Sequence, residues 1–390
     1  MMPVPLRPTS SDELIDIVRA LGRGQRLAIH GGRSKAGIGC DTPDAVPLDM
    51  TGFAGIVDYD PAELVLTVGA GTPLAEVEAL VRSENQMLAF DPFDHAPVFG
   101  RAAGRATIGG VVAAGVAGSC RLSCGSARDH LLGIRTVSGR GEPLVAGARV
   151  VKNVTGYDLP KLAAGSWGRL FAMTELTLKV LPRPPVQATL VLPGLDPERA
   201  AAAMALAMGS PAEVAAAAHR PAELGDGTAL TALLLRGFGP SVTAKRAILD
   251  RHLSDFGPTV LLDGGEADIF WDGLRTLAPL GDDLPLWRVN VPPSRGPAVI
   301  ASLGAQGAQW MFDWAGGLIW LGFDGDPALV RAAAAQGGGH ATLIRGPASL
   351  RAQVPAFHPV ASGPTALEAR IRRAFDPAGI FETGRFGGAT

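Results

Sequence analysis

Thr107-Ile108-Gly109-Gly110-Val111-Val112-Ala113-Ala114-Gly115-Val116-Ala117-Gly118 opens a stretch, running to Val180, around which the rest of this 390-residue chain is organised. Small-residue turns recur through it. After this one come Cys124-Gly125-Ser126-Ala127-Arg128-Asp129-His130, then Val151-Lys152-Asn153-Val154-Thr155-Gly156-Tyr157-Asp158, then Gly165-Ser166-Trp167-Gly168. Glycine lets a ligand approach the backbone and takes positive φ without steric cost. Any one of these turns fits a plain tight loop. The series together implies a backbone shaped around something long and partly anionic.

Upstream, residues 27–30 (Leu-Ala-Ile-His) read as a short buried strand, followed directly by Gly31-Gly32-Arg33-Ser34-Lys35. Such a turn presents consecutive N–H groups to phosphate oxygens, and Arg33 and Lys35 add charge. A surface turn fits equally well. No P-loop spacing or dinucleotide fingerprint accompanies it, since Gly69-Ala70-Gly71 lacks the third glycine. Ser10 and Glu13 have the spacing of a capping box before the helical run from Leu14 to Leu21. The β-branched run 64–71 predicts a strand, and Thr72-Pro73 predicts a helix capped by Thr72 with Pro73 in its first turn.

Downstream, residues 176–181 predict a strand that stops at Pro182-Arg183-Pro184-Pro185, where a domain boundary is expected. Beyond it, strands over 187–192, 230–235, 260–263 and 286–291 alternate with helices over 197–208, 242–253 and 267–277. This pattern predicts an α+β unit on an antiparallel sheet. Five of the six tryptophans lie there, an arrangement expected of a core before a binding face. A helix over 367–375 and the turn after it are expected to return to the first domain. The division is thus 1–184, 185–366 and 367–390.

A net charge of −2 without any Lys/Arg block argues against a nucleic-acid partner. Three cysteines can build neither a disulfide framework nor an iron–sulfur cluster, and no spaced histidines complete a metal site. No metal is expected. The start of the chain lacks the apolar core of a signal peptide, and no apolar run is long enough to span a bilayer. The sequence therefore predicts a cytoplasmic protein, at most peripheral to a membrane through a partner.

The ordered series Gly31-Gly32-Arg33-Ser34, Gly69-Ala70-Gly71-Thr72-Pro73-Leu74, Thr107-Ile108-Gly109-Gly110, Gly125 with Arg128-Asp129, and Gly165-Ser166-Trp167-Gly168 resembles FAD-binding proteins of the vanillyl-alcohol oxidase, or PCMH, type. Within that family, 151–158 and Phe375-Asp376-Pro377-Ala378-Gly379-Ile380-Phe381 are similar to the FAD-binding E subunits of bacterial glycolate oxidases. The resemblance covers the first domain and the last twenty or so residues well, and the middle more loosely. It implies two α+β subdomains that hold FAD between them, below an α+β cap. Gly31, Gly32, Arg33 and Ser34, with Lys35, would meet the pyrophosphate from one side, and Ile108, Gly109, Gly110 and Gly115 from the other. Gly125, Arg128 and Asp129 would fix the loop near the ribityl chain. Gly165, Ser166, Gly168 and Thr174 would close around the adenine or pyrophosphate end. Asn153, Gly156 and Tyr157 would lie beside the isoalloxazine.

Two departures carry information. Relatives with covalent flavin have a histidine where this chain has Arg33, so FAD is expected to be noncovalent. The usual Asn-Pro-Gly near the C-terminus reads Glu382-Thr383-Gly384. The metal-binding histidine motif of related 2-hydroxy-acid dehydrogenases is missing as well. Arg288, with a planar fork suited to a carboxylate, and His340 are the candidates for catalysis, and they stand apart in the sequence. The resemblance implies a subunit that takes part in oxidising glycolate to glyoxylate, with electrons passing through FAD to an iron–sulfur subunit and with a second flavoprotein subunit as partner. The alternatives are a standalone FAD-dependent oxidoreductase for another 2-hydroxy acid or alcohol, and a non-catalytic scaffold.

Overall fold

The computed structural model describes residues 4–22, 24–147, 157–304 and 306–387. The helix Ser11–Ala20 begins where predicted, with Ser10 Oγ accepting from the Glu13 N–H at 3.2 Å. The Glu13 carboxylate turns to Thr9 instead of closing a capping box, and accepts from its N–H (2.7 Å) and hydroxyl (3.0 Å). Leu14, Ile15 and Val18 form the buried stripe and pack with Leu27, Leu48, Met50, Ile380 and Phe381. Strands β1 (Leu27–His30) and β2 (Val46–Asp49) run parallel beside this helix, so the glycine turn leaves the carboxyl end of β1.

The next seven strands are β3 (Ile56–Asp60), β4 (Val65–Gly69), β5 (Gln86–Met87), β6 (Leu131–Ser138), β7 (Pro143–Gly147), β8 (Phe171–Lys179) and β9 (Leu181–Pro182). Five of them form an antiparallel sheet in the order β3-β4-β8-β6-β7, while β5 pairs with β9. β8 is central and buried almost throughout, its Phe171, Met173, Leu176 and Leu178 packing in the core and its Thr174 and Thr177 hydroxyls hydrogen-bonded to the Arg135 carbonyl and to Thr67. Helices Leu74–Ser83 and Ile108–Ala114 supply Val77, Val81, Val111 and Val112 to the core it shares with Leu66, Val68, Leu176 and Leu178. Thr72 does not cap the first of these helices. Its hydroxyl donates to the Gly69 carbonyl (2.7 Å) and accepts from the Gly55 N–H (2.9 Å), so Pro73 stands at the N-cap without a side-chain bond. The reason is close packing: a Cβ on Gly69 or Gly71 would lie 2.2 Å from the Phe53 or Met50 carbonyl oxygen. The Thr72 hydroxyl is used to close that turn.

The second sheet has eight strands: β10 (Val186–Pro193), β11 (Ala216–Arg220), β12 (Leu230–Gly237), β13 (Val260–Leu261), β14 (Leu286–Asn290), β15 (Gln309–Asp313), β16 (Leu318–Gly322) and β17 (His340–Arg345). Their order is β13-β10-β12-β11-β15-β16-β14-β17, with antiparallel pairing throughout. The period-2 alternation of strands divides its side chains between two cores. Leu190, Leu192, Leu233, Trp287 and Phe312 face the helices of this lobe, whereas Val191, Ala232, Met311 and Trp320 belong to the core shared with the first lobe. The tryptophans divide likewise: Trp287 and Trp310 are core residues, while Trp314 and Trp320 lie at the junction between the lobes. The helix Ser362–Phe375 returns to the first lobe, where Phe375 meets Phe171 edge-on at 5.4 Å and its carbonyl accepts from the Gly139 N–H. Among the described residues no helix is long and apolar enough to cross a membrane.

Candidate functional site

The stretch that decides the fold is a short helix rather than an irregular loop. Thr107 caps Ile108–Ala114, its Oγ1 accepting from the Gly110 N–H at 3.3 Å, and Gly115 ends it at φ 64°. This helix is one wall of a cavity of about 630 Å³. The other walls are the glycine turn after β1, Gly168-Arg169, and the C-terminal residues 381–386. The two faces of glycine do different work here. A Cβ on Gly31 would meet Thr107 Oγ1 at 2.2 Å, and one on Gly32 would meet the Arg105 carbonyl oxygen at 1.5 Å, so these two are required by packing. Gly110 faces open space, with only Thr107 Oγ1 near, at 3.2 Å.

The cavity is cationic. Arg33, Lys35, Arg101, Arg169, Arg351 and Arg385 line it against Asp41 and Glu382. Arg33 holds a left-handed φ of 59°, and its Nη2 donates to His30 Nε2 at 2.8 Å. His30 Nδ1 in turn donates to the Gly31 carbonyl (3.1 Å), so both ring nitrogens are engaged. Arg385 is spent on the loop, donating to the carbonyls of Ile38 and Lys35, and Glu382 pairs with Arg169 at 2.7 Å. Lys35 is different. Its ammonium is buried, touches Ser34 Oγ at 3.4 Å, and among the described residues has no carboxylate at ion-pair distance. Burial pushes its pKa down to about 8, against the opposing pull of Asp94.

A second cavity, of about 660 Å³, opens between the two lobes, and Ala114 and Trp167 line both. Arg288 and His340, far apart in the chain, both line this second space, with Arg121, Arg128, His95 and His358. Arg121 from the first lobe and Arg288 from the second each place a guanidinium by Trp314, Cζ lying 4.7 and 4.9 Å from the ring centroid. Trp314 is itself held across the junction, Nε1 donating to the Gly118 carbonyl at 3.0 Å. Beside it Asp313 accepts from Ser119 Oγ and the Trp314 N–H, both at 2.8 Å, and burial raises its carboxyl to about 7. His95 is 7% exposed and stacked on Phe93 at 4.4 Å, and among the described residues its Nδ1 has no hydrogen-bond partner. Burial, then Lys35 and Arg288, hold its pKa well below the usual histidine range. His340 is largely exposed at the edge of this space.

The model of the FAD binding domain matches residues 3–147. The chain is 35% identical to the glycolate oxidase subunit GlcE of Escherichia coli (strain K12) over 380 residues, which is 95% of either chain. It belongs to the GlcE family of glycolate oxidase subunits. A D-lactate dehydrogenase of Anaerostipes hadrus is 31% identical over 49% of this chain and 38% of its own length, and the glycolate oxidase subunit GlcD of Bacillus subtilis (strain 168) is 28% identical over 48% of this chain and 38% of its own. Among solved structures, p-cresol methylhydroxylase with substrate bound aligns over 98% of this chain and 88% of its own, with a TM-score of 0.71 at 13% identity, which speaks for the fold alone. The protein is thus an FAD-dependent oxidoreductase of PCMH-type fold, and FAD is its cofactor.

The two neighbouring cavities, which share Ala114 and Trp167 in their walls, fit a cofactor with a charged middle and a flat end. The buried Lys35 ammonium and the open face of Gly110 suit a diphosphate in the first. Of the residues singled out in the sequence, Gly31 to Lys35, Gly109, Gly110 and Gly168 line the first cavity, and Gly115, Arg128 and Gly165 the second. Ile108 is buried behind its helix. Asp129 closes the Gly125 loop, accepting from the Ser126 N–H at 2.8 Å. Ser166 lines neither cavity, and Thr174 lies in β8 with its hydroxyl donated to the Arg135 carbonyl. Tyr157, expected beside the isoalloxazine, is 91% exposed and lines neither. Asn153 and Gly156 lie outside the described residues. The residues that sequence reading missed are Arg121, His95, His358 and the C-terminal Arg385. Among the described residues no group of three or more His, Cys, Asp or Glu is placed to hold a metal ion.

Proposed function

We propose that the chain is the FAD-binding subunit of a glycolate oxidase complex, taking part in oxidation of glycolate to glyoxylate and passing electrons to an iron–sulfur partner beside a second flavoprotein subunit. The observation that carries the cofactor half is the pair of cavities that share Ala114 and Trp167 in their walls, with Lys35 buried in one and, among the described residues, without a carboxylate at ion-pair distance, and with Arg121, Arg288 and His95 gathered in the other. The similarity to the E. coli subunit along nearly its whole length supports the complex. Three cysteines cannot ligate a cluster, so the onward relay belongs to a partner.

In this reading Gly31 to Lys35 and the helix Ile108–Ala114 hold the diphosphate, and the lobe junction takes the flavin end. FAD, when bound, supplies a two-electron acceptor. The chain supplies position, charge and exclusion of water. FAD is noncovalent: Arg33 occupies the attachment position, and the nearest imidazole, His30, has both nitrogens engaged. The test is the visible spectrum of the purified chain, followed by acid precipitation. A flavin band that moves to the supernatant is expected. A colourless chain would refute the cofactor role, and flavin retained in the pellet would refute noncovalent binding.

A further inference from the structure

We propose that His95 takes the hydroxyl proton of a short 2-hydroxy acid in the junction cavity of this chain, while Arg121 and Arg288 hold its carboxylate. The inference rests on the reading above, because the hydride of the same substrate needs FAD as acceptor. As the O–H bond breaks, its proton passes to the imidazole. The C–H bond breaks with its electron pair, which leaves as hydride to FAD, and a C=O bond forms. The acid is oxidised to a 2-oxo acid, for which FAD, when bound, would supply the two-electron acceptor, and the imidazole of His95 is left protonated.

The first ground is an unanswered pair of charges. Arg121 and Arg288 come from different lobes to the same Trp314 ring. Among the described residues neither has a carboxylate at ion-pair distance, and Arg288 Nη1 donates to the neutral Asn290 Oδ1 at 2.8 Å. Burial and the nearby Arg121 lower Arg288 to about 10. Asp313, whose charge acts on Arg288, is already bonded to Ser119 and to the Trp314 N–H. A carboxylate entering the cavity would relieve the repulsion and meet planar donor forks.

The second ground is a buried imidazole in the same lining. His95 is more than nine-tenths buried, lines the cavity, and among the described residues leaves Nδ1 without a hydrogen-bond partner, an arrangement that costs stability unless something occupies it. Its stacking on Phe93 fixes the ring plane. The other two imidazoles of the cavity are weaker claimants. His340 is exposed, and His358 Nδ1 already accepts from the Ala341 N–H at 3.3 Å.

Glycolate and acetate differ by the hydroxyl that His95 would receive, and calorimetry on the purified chain can compare them without any flavin. Glycolate should bind about three- to tenfold more tightly than acetate, the worth of one hydrogen bond. His95→Phe should abolish that preference, and His95→Gln, which keeps an acceptor, should retain it. Arg121→Met combined with Arg288→Met should weaken both acids at least about tenfold. In the FAD-loaded chain mixed anaerobically with glycolate, His95→Gln should slow bleaching of the flavin band by about 10²–10⁴-fold with acetate affinity unchanged. Absence of binding, an undiminished preference in His95→Phe, or bleaching at the parental rate in His95→Gln would overturn the assignment. A chain that carries no FAD sinks the cofactor reading instead, and the calorimetry still decides the acid site.

Discussion

Lys35 shows how one side chain ties the fold to the cofactor. Its folded pKa of about 8 lies below its ordinary 10.5, so between those values the unfolded chain binds more protons than the folded one. Stability of the cofactor-free chain therefore rises with pH across that window and is lowest, for this group, below about 8. FAD affinity has the opposite slope. A diphosphate favours the ammonium, so above pH 8 binding must take up a proton, and affinity should fall by at most about tenfold per pH unit. Lys35→Met should bind FAD more weakly at pH 7 and lose this slope. Flavin fluorescence titrations at pH 7, 8 and 9 measure both, and a parallel pH dependence in Lys35→Met would remove Lys35 from the site. The turn around Lys35 was legible because a strand followed by two glycines and two cations is a local pattern. His95 was not, since a lone histidine after Asp91-Pro92-Phe93-Asp94 has no periodicity to mark it, and its meaning comes from Lys35 and Arg288 on distant segments.

At the scale of elements, the helix Ile108–Ala114 carries two adjacent glycines with opposite duties. A Cβ on Gly109 would stand 2.6 Å from the Ala70 carbonyl oxygen, which is backbone and cannot yield cheaply. Gly109→Ala should cost about 1–3 kcal/mol of stability in denaturant unfolding. Gly110→Ala meets only a threonine hydroxyl at 3.2 Å, and should be neutral or gain up to about 1 kcal/mol from helix propensity. Gly110→Val keeps that tolerance of fold and projects two methyl groups toward the cavity, so FAD affinity should drop about tenfold or more, the equivalent of modest overpacking. Folded Gly110→Val with full FAD content would show that the diphosphate lies elsewhere. The sequence revealed that this stretch was special but not that it was helical. Glycine and alanine are ambiguous there, and the decision is made by Thr107, whose hydroxyl caps the helix. The leucine- and threonine-rich second half of β8 (176–179) and β12 were plain from composition. β11 (Ala-Ala-Ala-His-Arg) was not, because alanine has little strand preference and its pairing with β12 supplies the order.

The largest scale is the junction, where nothing in the sequence foretold which residues would meet. Hydrogen bonds between the lobes hold the junction together. Trp314 Nε1 bonds to Gly118 and Asp313 to Ser119 at one side, while Arg345 Nη1 bonds to the Val98 carbonyl (2.8 Å) and Arg351 Nη1 to that of Gly39 (2.6 Å) at the other. A core shared by Val191, Met311 and Trp320 with the first lobe lies between them. Lobes joined through both apolar packing and buried hydrogen bonds should unfold together, so calorimetry of the whole chain should show one transition. Trp314→Phe tests the link. It preserves an aromatic face for Arg121 and Arg288 but removes the donor to the buried Gly118 carbonyl, which should cost about 1–3 kcal/mol. The expected result is a transition lowered by a few degrees and still single, with FAD restoring part of the loss by mass action. If the variant instead resolves into two transitions, and FAD raises only one of them, cofactor binding is confined to the first lobe. The joint would then be too weak to bring Arg288 to His95, and the acid site would have to be built from one lobe alone.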